Sequence, residues 1–256
     1  MTTLLIFKVV LTPLLIAAST LAARRWGPTI GGWFAGLPLT SGPVSVFLAL
    51  EQGRPFAATA ARSSILGLVG VSAFCVTYAR VAARFGPAGS LAIGFLAYAG
   101  ATLLSRFVGG GPLPIFLIVC GVLAAALALM PRPERGRSDV APPWWDLPLR
   151  MGTATLVVVA ITTAAASLGA AWSGLLSPFP VFSSVLAAFA HHMSGPAAAA
   201  RLQRGVVVGV FSFAAFFLVV ALLVESRSVV ATYGWATVTA VAVNSVSLLA
   251  LWRANR

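Results

Sequence analysis

The sequence predicts an all-α fold: a polytopic membrane protein of about nine transmembrane helices, set out as two inverted four-helix repeats joined by one extra helix. Three observations carry this. The 256 residues are 59% hydrophobic and 9% charged, where a soluble domain carries about 25% charged residues. Apolar runs of roughly 20 residues, the length that crosses a ~30 Å hydrocarbon core, recur along the chain. The sequence also matches itself when slid by 142 residues without a gap. A transmembrane barrel would instead alternate over segments of about ten residues.

The apolar segments fall at about 3–23, 30–50, 57–80, 88–107, 112–130, 150–170, 172–190, 205–224 and 229–251. The first is too long, and Lys8 too isolated ahead of its end, for a cleavable signal peptide. Gly27-Pro28, Arg54-Pro55, Gly86-Pro87 and Gly111-Pro112 punctuate the joins. The second segment has Pro38, Gly42 and Pro43 in its middle, and the seventh has Pro178 and Pro180. Proline removes a backbone donor and clashes with the preceding turn. The run from Pro131 to Asp146 is polar and too short for a domain; Trp144 and Trp145 suit a membrane interface. The expected units are therefore 1–111, a connecting helix 112–130, a cytoplasmic linker 131–145, and a second unit 146–256.

Under the offset, Gly32 meets Gly174, Pro38 meets Pro180, Ser41 meets Ser183 and Phe47 meets Phe189. Gly53 meets Gly195, Arg62 meets Arg204, Gly67 meets Gly209, and Lys8 meets Arg150. One odd helix between two four-helix units turns the second upside down, a frequent plan among secondary transporters. Charge agrees. Arg24, Arg25, Arg80, Arg84, Arg132, Arg135, Arg137, Arg150, Arg201, Arg204, Arg253 and Arg256 fall on one side; Lys8, Arg54, Arg62, Arg106 and Arg227 fall on the other. The positive-inside rule places the first group in the cytoplasm, the N-terminus outside and the C-terminus inside, as in a bacterial inner-membrane protein.

The net charge of +12 is spread over short loops, so no nucleic acid is expected as a partner. Cys75 and Cys120 lie in apolar runs and read as small buried hydrophobes. His191 and His192 point about 100° apart on a helix and make a poor chelate, so no metal and no cofactor are expected. No nucleophile elbow, phosphate loop or paired carboxylates appear, so no enzyme is expected.

Ionisable residues at the membrane edge are the functional candidates. Lys8 and Arg62 approach from one face, Arg150 and Arg204 from the other. Either they snorkel and anchor helix ends, or they bind an anion or a lipid phosphate. Glu51 either pairs with Arg54 or Arg62 or accepts a coupling proton; His191 titrates near neutral pH and is a second coupling candidate. Ser41 and Ser183 either donate to a substrate or cap the backbone freed at Pro38 and Pro180. Such breaks in corresponding spans mark a substrate site near the midplane, or they are simple kinks.

The run "SPFPVFSSVLAAFAHHMSGPAAA" resembles the GlpM family of small bacterial inner-membrane proteins through Pro178, Phe179, Pro180, Phe182, His191 and Gly195. Lys8 and Arg150 look like the basic residue that the family places early in its first span. The first half keeps Pro38 but has Glu51 where a His would stand. The resemblance implies a fused pair of units and little about substrate. The expected function is a secondary transporter or flippase for a small anionic substrate or anionic lipid carrier. The competing reading is a non-transporting accessory subunit of envelope biosynthesis. The bilayer is the expected partner, with homo-oligomerisation open.

Overall fold

The computed structural model describes residues 2–131, 143–165, 175 and 178–255, with side chains for 9–131, 143–160, 175 and 178–249. Among these the fold is helical, without strands. The elements are α1 (Thr2–Trp26), α2 (Pro28–Ala35), α3 (Ser41–Glu51), α4 (Arg54–Val81), α5 (Pro87–Ser105), α6 (Pro112–Leu129), α7 (Asp146–Ala165), α8 (Val181–Ser194), α9 (Pro196–Leu223) and α10 (Val229–Asn255). Proline stands at the first or second position of α2, α4, α5, α6 and α9, where its missing N–H costs no helix bond.

Six stretches are long and apolar enough to cross a membrane: Val9–Trp26, Arg54–Val81, Pro87–Ser105, Pro112–Leu129, Pro196–Leu223 and Val229–Leu249. Of these, the run expected at 205–224 begins earlier, at Pro196, and the remaining three expected spans differ. Residues 30–50 form two short helices, α2 and α3, separated at Gly36–Thr40. The span expected at 150–170 begins earlier, at Asp146, and its helix runs to Ala165. The span at 172–190 lies partly outside the described residues; α8 begins at Val181, just after Pro180. Most of the linker 131–145 also lies outside them, although Trp144, at its end, is 87% exposed.

The long helices α4 and α9 form the centre. Their membrane windows are 67% and 61% buried, against 22–28% for the other four. They pack on each other, α5 and α10 flank them, and α6 touches both. Leu96, Leu104, Leu117 and Val238 project outward from α5, α6 and α10; an apolar exterior of this extent suits lipid and not water. Several serines inside the helices return their hydroxyls to their own backbone, as Ser72 does to Leu68 O and Ser212 to Gly209 O, whereas Thr12 and Thr232 are buried without such a partner. The bonds satisfy these serines where water is absent.

The helix ends follow the repeat offset. α4 and α9 each have 28 residues and start one offset apart, as do α5 and α10. The residues before α4 and α9, Gly53 and Gly195, have φ of 90° and 83°. That region strongly favours glycine, and both turn a short helix back into a long central one.

Candidate functional site

Part of the backbone at the interruption Gly36–Thr40 is hydrogen-bonded across the break. Gly36 N–H donates to Gly32 O and Trp33 O, Leu37 N–H to Phe34 O, and Gly42 N–H to Pro38 O. In the second unit, Ser184 N–H donates to Pro180 O at 2.9 Å and Ser183 Oγ donates to the same carbonyl at 3.3 Å. Ser183 therefore adds a second, longer hydrogen bond to a carbonyl that the helix already satisfies. Ser41 is buried at the start of α3.

Each interruption lies against the other unit's central helix. A Cβ on Gly67 of α4 would meet Leu175 O and the Pro178 ring; one on Gly209 of α9 would meet Trp33 O and Gly36. Trp33 and Gly36 precede Leu175 and Pro178 by the repeat offset. The two contacts are thus the same contact made in both directions, and each needs a residue without a side chain for the backbones to approach.

A cavity of about 450 Å³ opens beside the first interruption, between α3, α9 and α10. Leu37, Pro38, Gly42 and Phe47 form one wall; Phe216, Tyr233 and Val241 form others. Its size is that of ordinary ligand sites, about 300–1,000 Å³. The corresponding place in the second unit is occupied. Phe179, the counterpart of Leu37, stacks on Phe95 at 5.5 Å and meets Tyr98 edge-on at 5.0 Å. Phe95 and Tyr98 are the counterparts of the cavity residues Thr237 and Ala240. Where the first unit has a space, the second has an aromatic ring.

The candidate cations do not converge on this cavity. Arg150 is buried; its Nε donates to both Asp146 oxygens at 3.0 and 2.9 Å, and its guanidinium sits 4.8 Å over the Phe189 ring. Arg24 Nη2 donates to the same carboxylate at 2.8 Å. Arg204 Nη1 donates to Leu127 O at 2.9 Å. Arg62 is exposed on α4, and Lys8 lies on α1 with its side chain outside the described residues. Glu51 is exposed at the end of α3, and among the described residues no ion pair joins it to Arg54 or Arg62.

His191 is buried, its Nδ1 3.3 Å from Tyr78 Oη. One turn deeper, Cys75 donates its thiol to Gln203 Oε1 at 3.3 Å. The repeat counterparts of Cys75, Tyr78, His191 and Gln203 are Phe217, Val220, Ala49 and Ala61, all apolar and buried. The polar layer is therefore confined to one end of the bundle. No cluster of metal-ligating side chains occurs among the described residues.

Sequence reasoning missed Asp146, Gln203 and Asn244. The first stands at the end of the polar run from Pro131, and Asp four residues before Arg on a helix is a recognisable pair. The other two are amides inside apolar runs, itself a functional signal. No family model, curated protein or solved structure matches this chain.

Proposed function

We propose that the chain is an inverted-repeat membrane transporter or flippase, moving an anionic amphiphile such as a lipid-phosphate carrier by alternating access. The observation that carries this is the reciprocal contact of Gly67 with Leu175 and Pro178, and of Gly209 with Trp33 and Gly36. Two interrupted segments then meet two central helices in one arrangement used twice. Helix direction supports inversion. Arg80, near the end of α4, donates to Leu129 O, and Arg204, near the start of α9, donates to Leu127 O. Both lie at the same end of α6, so α4 and α9 run oppositely. That end gathers Arg24, Arg80, Arg150 and Arg204, which supports a cytoplasmic assignment for it.

The open cavity beside Pro38 gives one of the two interruptions an accessible site. The cavity's apolar wall favours a substrate with a hydrocarbon tail over a small free anion, and the cationic end then offers charge to a headgroup. A second reading, an accessory subunit, draws on Arg150 and Arg204 being occupied by internal partners.

The test is reconstitution in proteoliposomes. Transbilayer movement of a fluorescently labelled anionic phospholipid, read by quenching of outer-leaflet label, is expected above protein-free vesicles. Uptake of a small organic anion is measured beside it. No movement of either probe by correctly folded protein would leave the accessory reading.

A further inference from the structure

The cavity beside Pro38 has a shape and lining that say what fits it. Its α10 wall is the stripe Tyr233, Thr237, Ala240, Val241 and Asn244. At 1.5 Å per residue this stripe is about 16 Å long, which suits an extended chain better than a compact headgroup. Its mouth faces the bundle exterior. Val241 is 59% exposed while lining the cavity, and Trp235, Val238 and Leu50 continue an exposed apolar surface on either side. Helices α3 and α10 touch sparsely, so the gap between them leads from the lipid-facing surface into the cavity.

The polar groups on the wall are nearly all used. Tyr233 Oη donates to Ser45 O at 2.7 Å and lies 2.7 Å from Ser45 Oγ. Thr237 Oγ1 donates to Tyr233 O, and Ser212 Oγ to Gly209 O. Asn244 differs: its Oδ1 is buried and accepts no hydrogen bond. A buried acceptor without a donor costs about 1–3 kcal/mol, so this end of an otherwise apolar slot is matched to a donor. Asn244 stands at one end of the stripe, so a donor at the end of a chain lying along the slot would meet it.

We infer that this cavity is a lateral lipid site: it takes one hydrocarbon chain of a bilayer lipid, with a hydroxyl or amide N–H at the chain–headgroup junction donating to Asn244 Oδ1. The inference deepens the transport reading by naming the substrate class, and it rests on that reading for the purpose of binding. Binding itself is measured without transport. The full chain is reconstituted with either of two lipids carrying a diazirine in the acyl chain: monoacylglycerol, which has free hydroxyls beside the chain, or phosphatidylcholine, which has no donor. Adducts are mapped by peptide mass spectrometry after illumination.

Labelling is expected to concentrate on Leu37, Phe47 and Val241, several-fold above the lipid-facing controls Leu96 and Leu117, and to be stronger with monoacylglycerol. Ala240→Phe, which places a ring in the slot, removes the excess for both lipids; Thr237→Trp at the mouth does so without touching the buried wall. Asn244→Leu lowers monoacylglycerol labelling several-fold, to the phosphatidylcholine level. Equal labelling of pocket and controls, no effect of either blocking variant, or chain-to-chain cross-links at these positions in place of lipid adducts would overturn the site. Specific labelling in vesicles that move no lipid would keep the site and remove the transport reading.

Discussion

Arg150 is held by Asp146 through both carboxylate oxygens, with Asp146 fully buried and Arg24 bound to its other side. The carboxylate ties α1 to α7, and Phe189 beneath the guanidinium adds α8. Removing one partner of a buried pair leaves the other charge uncompensated. Asp146→Ala is therefore expected to destabilise the protein by about 3–5 kcal/mol. The double change Asp146→Leu with Arg150→Met is expected to cost much less, because the buried pair goes together and the cation left over, Arg24, is partly exposed to solvent. Thermal unfolding in detergent reads both. If the double variant folds yet transports nothing, Arg150 also serves the substrate; if it transports normally, its role is structural.

Phe179 is the counterpart of Leu37 and fills, between Phe95 and Tyr98, the place left open in the first unit. Phe179→Ala is expected to cost toward the lower end of about 3–5 kcal/mol, since the ring is only partly enclosed. It is also expected to create a second lipid-accessible slot. Acyl-chain photolabelling should then appear at Phe95 and Tyr98, where none is expected in wild type. Phe179→Leu, the residue found at position 37, should label weakly and unfold at nearly the wild-type temperature. Absence of new labelling in a folded Phe179→Ala variant would mean that the two sites are not equivalent.

The glycine crossings make a third, paired prediction. Gly67→Ala and Gly209→Ala each push a methyl group into opposing backbone, and such overpacking costs about 1–3 kcal/mol. The losses should be similar, because the two contacts are equivalent. Gly121 and Gly234 have open space around the same position. Alanine there should be neutral or stabilising by up to about 1 kcal/mol through helix propensity. Unfolding temperatures of the four variants decide it.

What the sequence made legible was what backbone chemistry dictates locally. Gly-Pro and Arg-Pro pairs marked the starts of α4, α5 and α6, and the run from 229 marked α10, whereas α9 begins at Pro196, well before the run expected from 205. Pro38, Gly42 and Pro43 announced an interruption, although α2 and α3 emerge as separate short helices and not as one bent span. The partners of charged groups were not legible. Arg150 read as a free cation because its acid lay beside a Pro-Arg-rich segment, and only folding buries Asp146 against α1. The cavity was invisible for a similar reason. It depends on a difference between Leu37 and Phe179, side chains of equal hydrophobic character whose volumes decide between a space and a plug.

The last prediction concerns His191, which meets Tyr78 at one end of the bundle above the Cys75–Gln203 pair. If His191 carries a coupling proton, lipid movement must depend on pH across its titration, which burial moves below the ordinary imidazole range. His191→Gln keeps a hydrogen-bonding side chain at Tyr78 and removes the titration, so it should flatten that profile while activity at its maximum persists. Tyr78→Phe removes the partner but leaves the imidazole; the profile should shift along the pH axis and keep its shape. Gln203→Leu is a useful control. Its Nε2 is buried without a partner and its Oε1 meets only a thiol, so an apolar replacement is expected to be neutral or stabilising. An unchanged profile in His191→Gln would assign His191 to packing beside Tyr78 alone and leave proton coupling without a residue at this end.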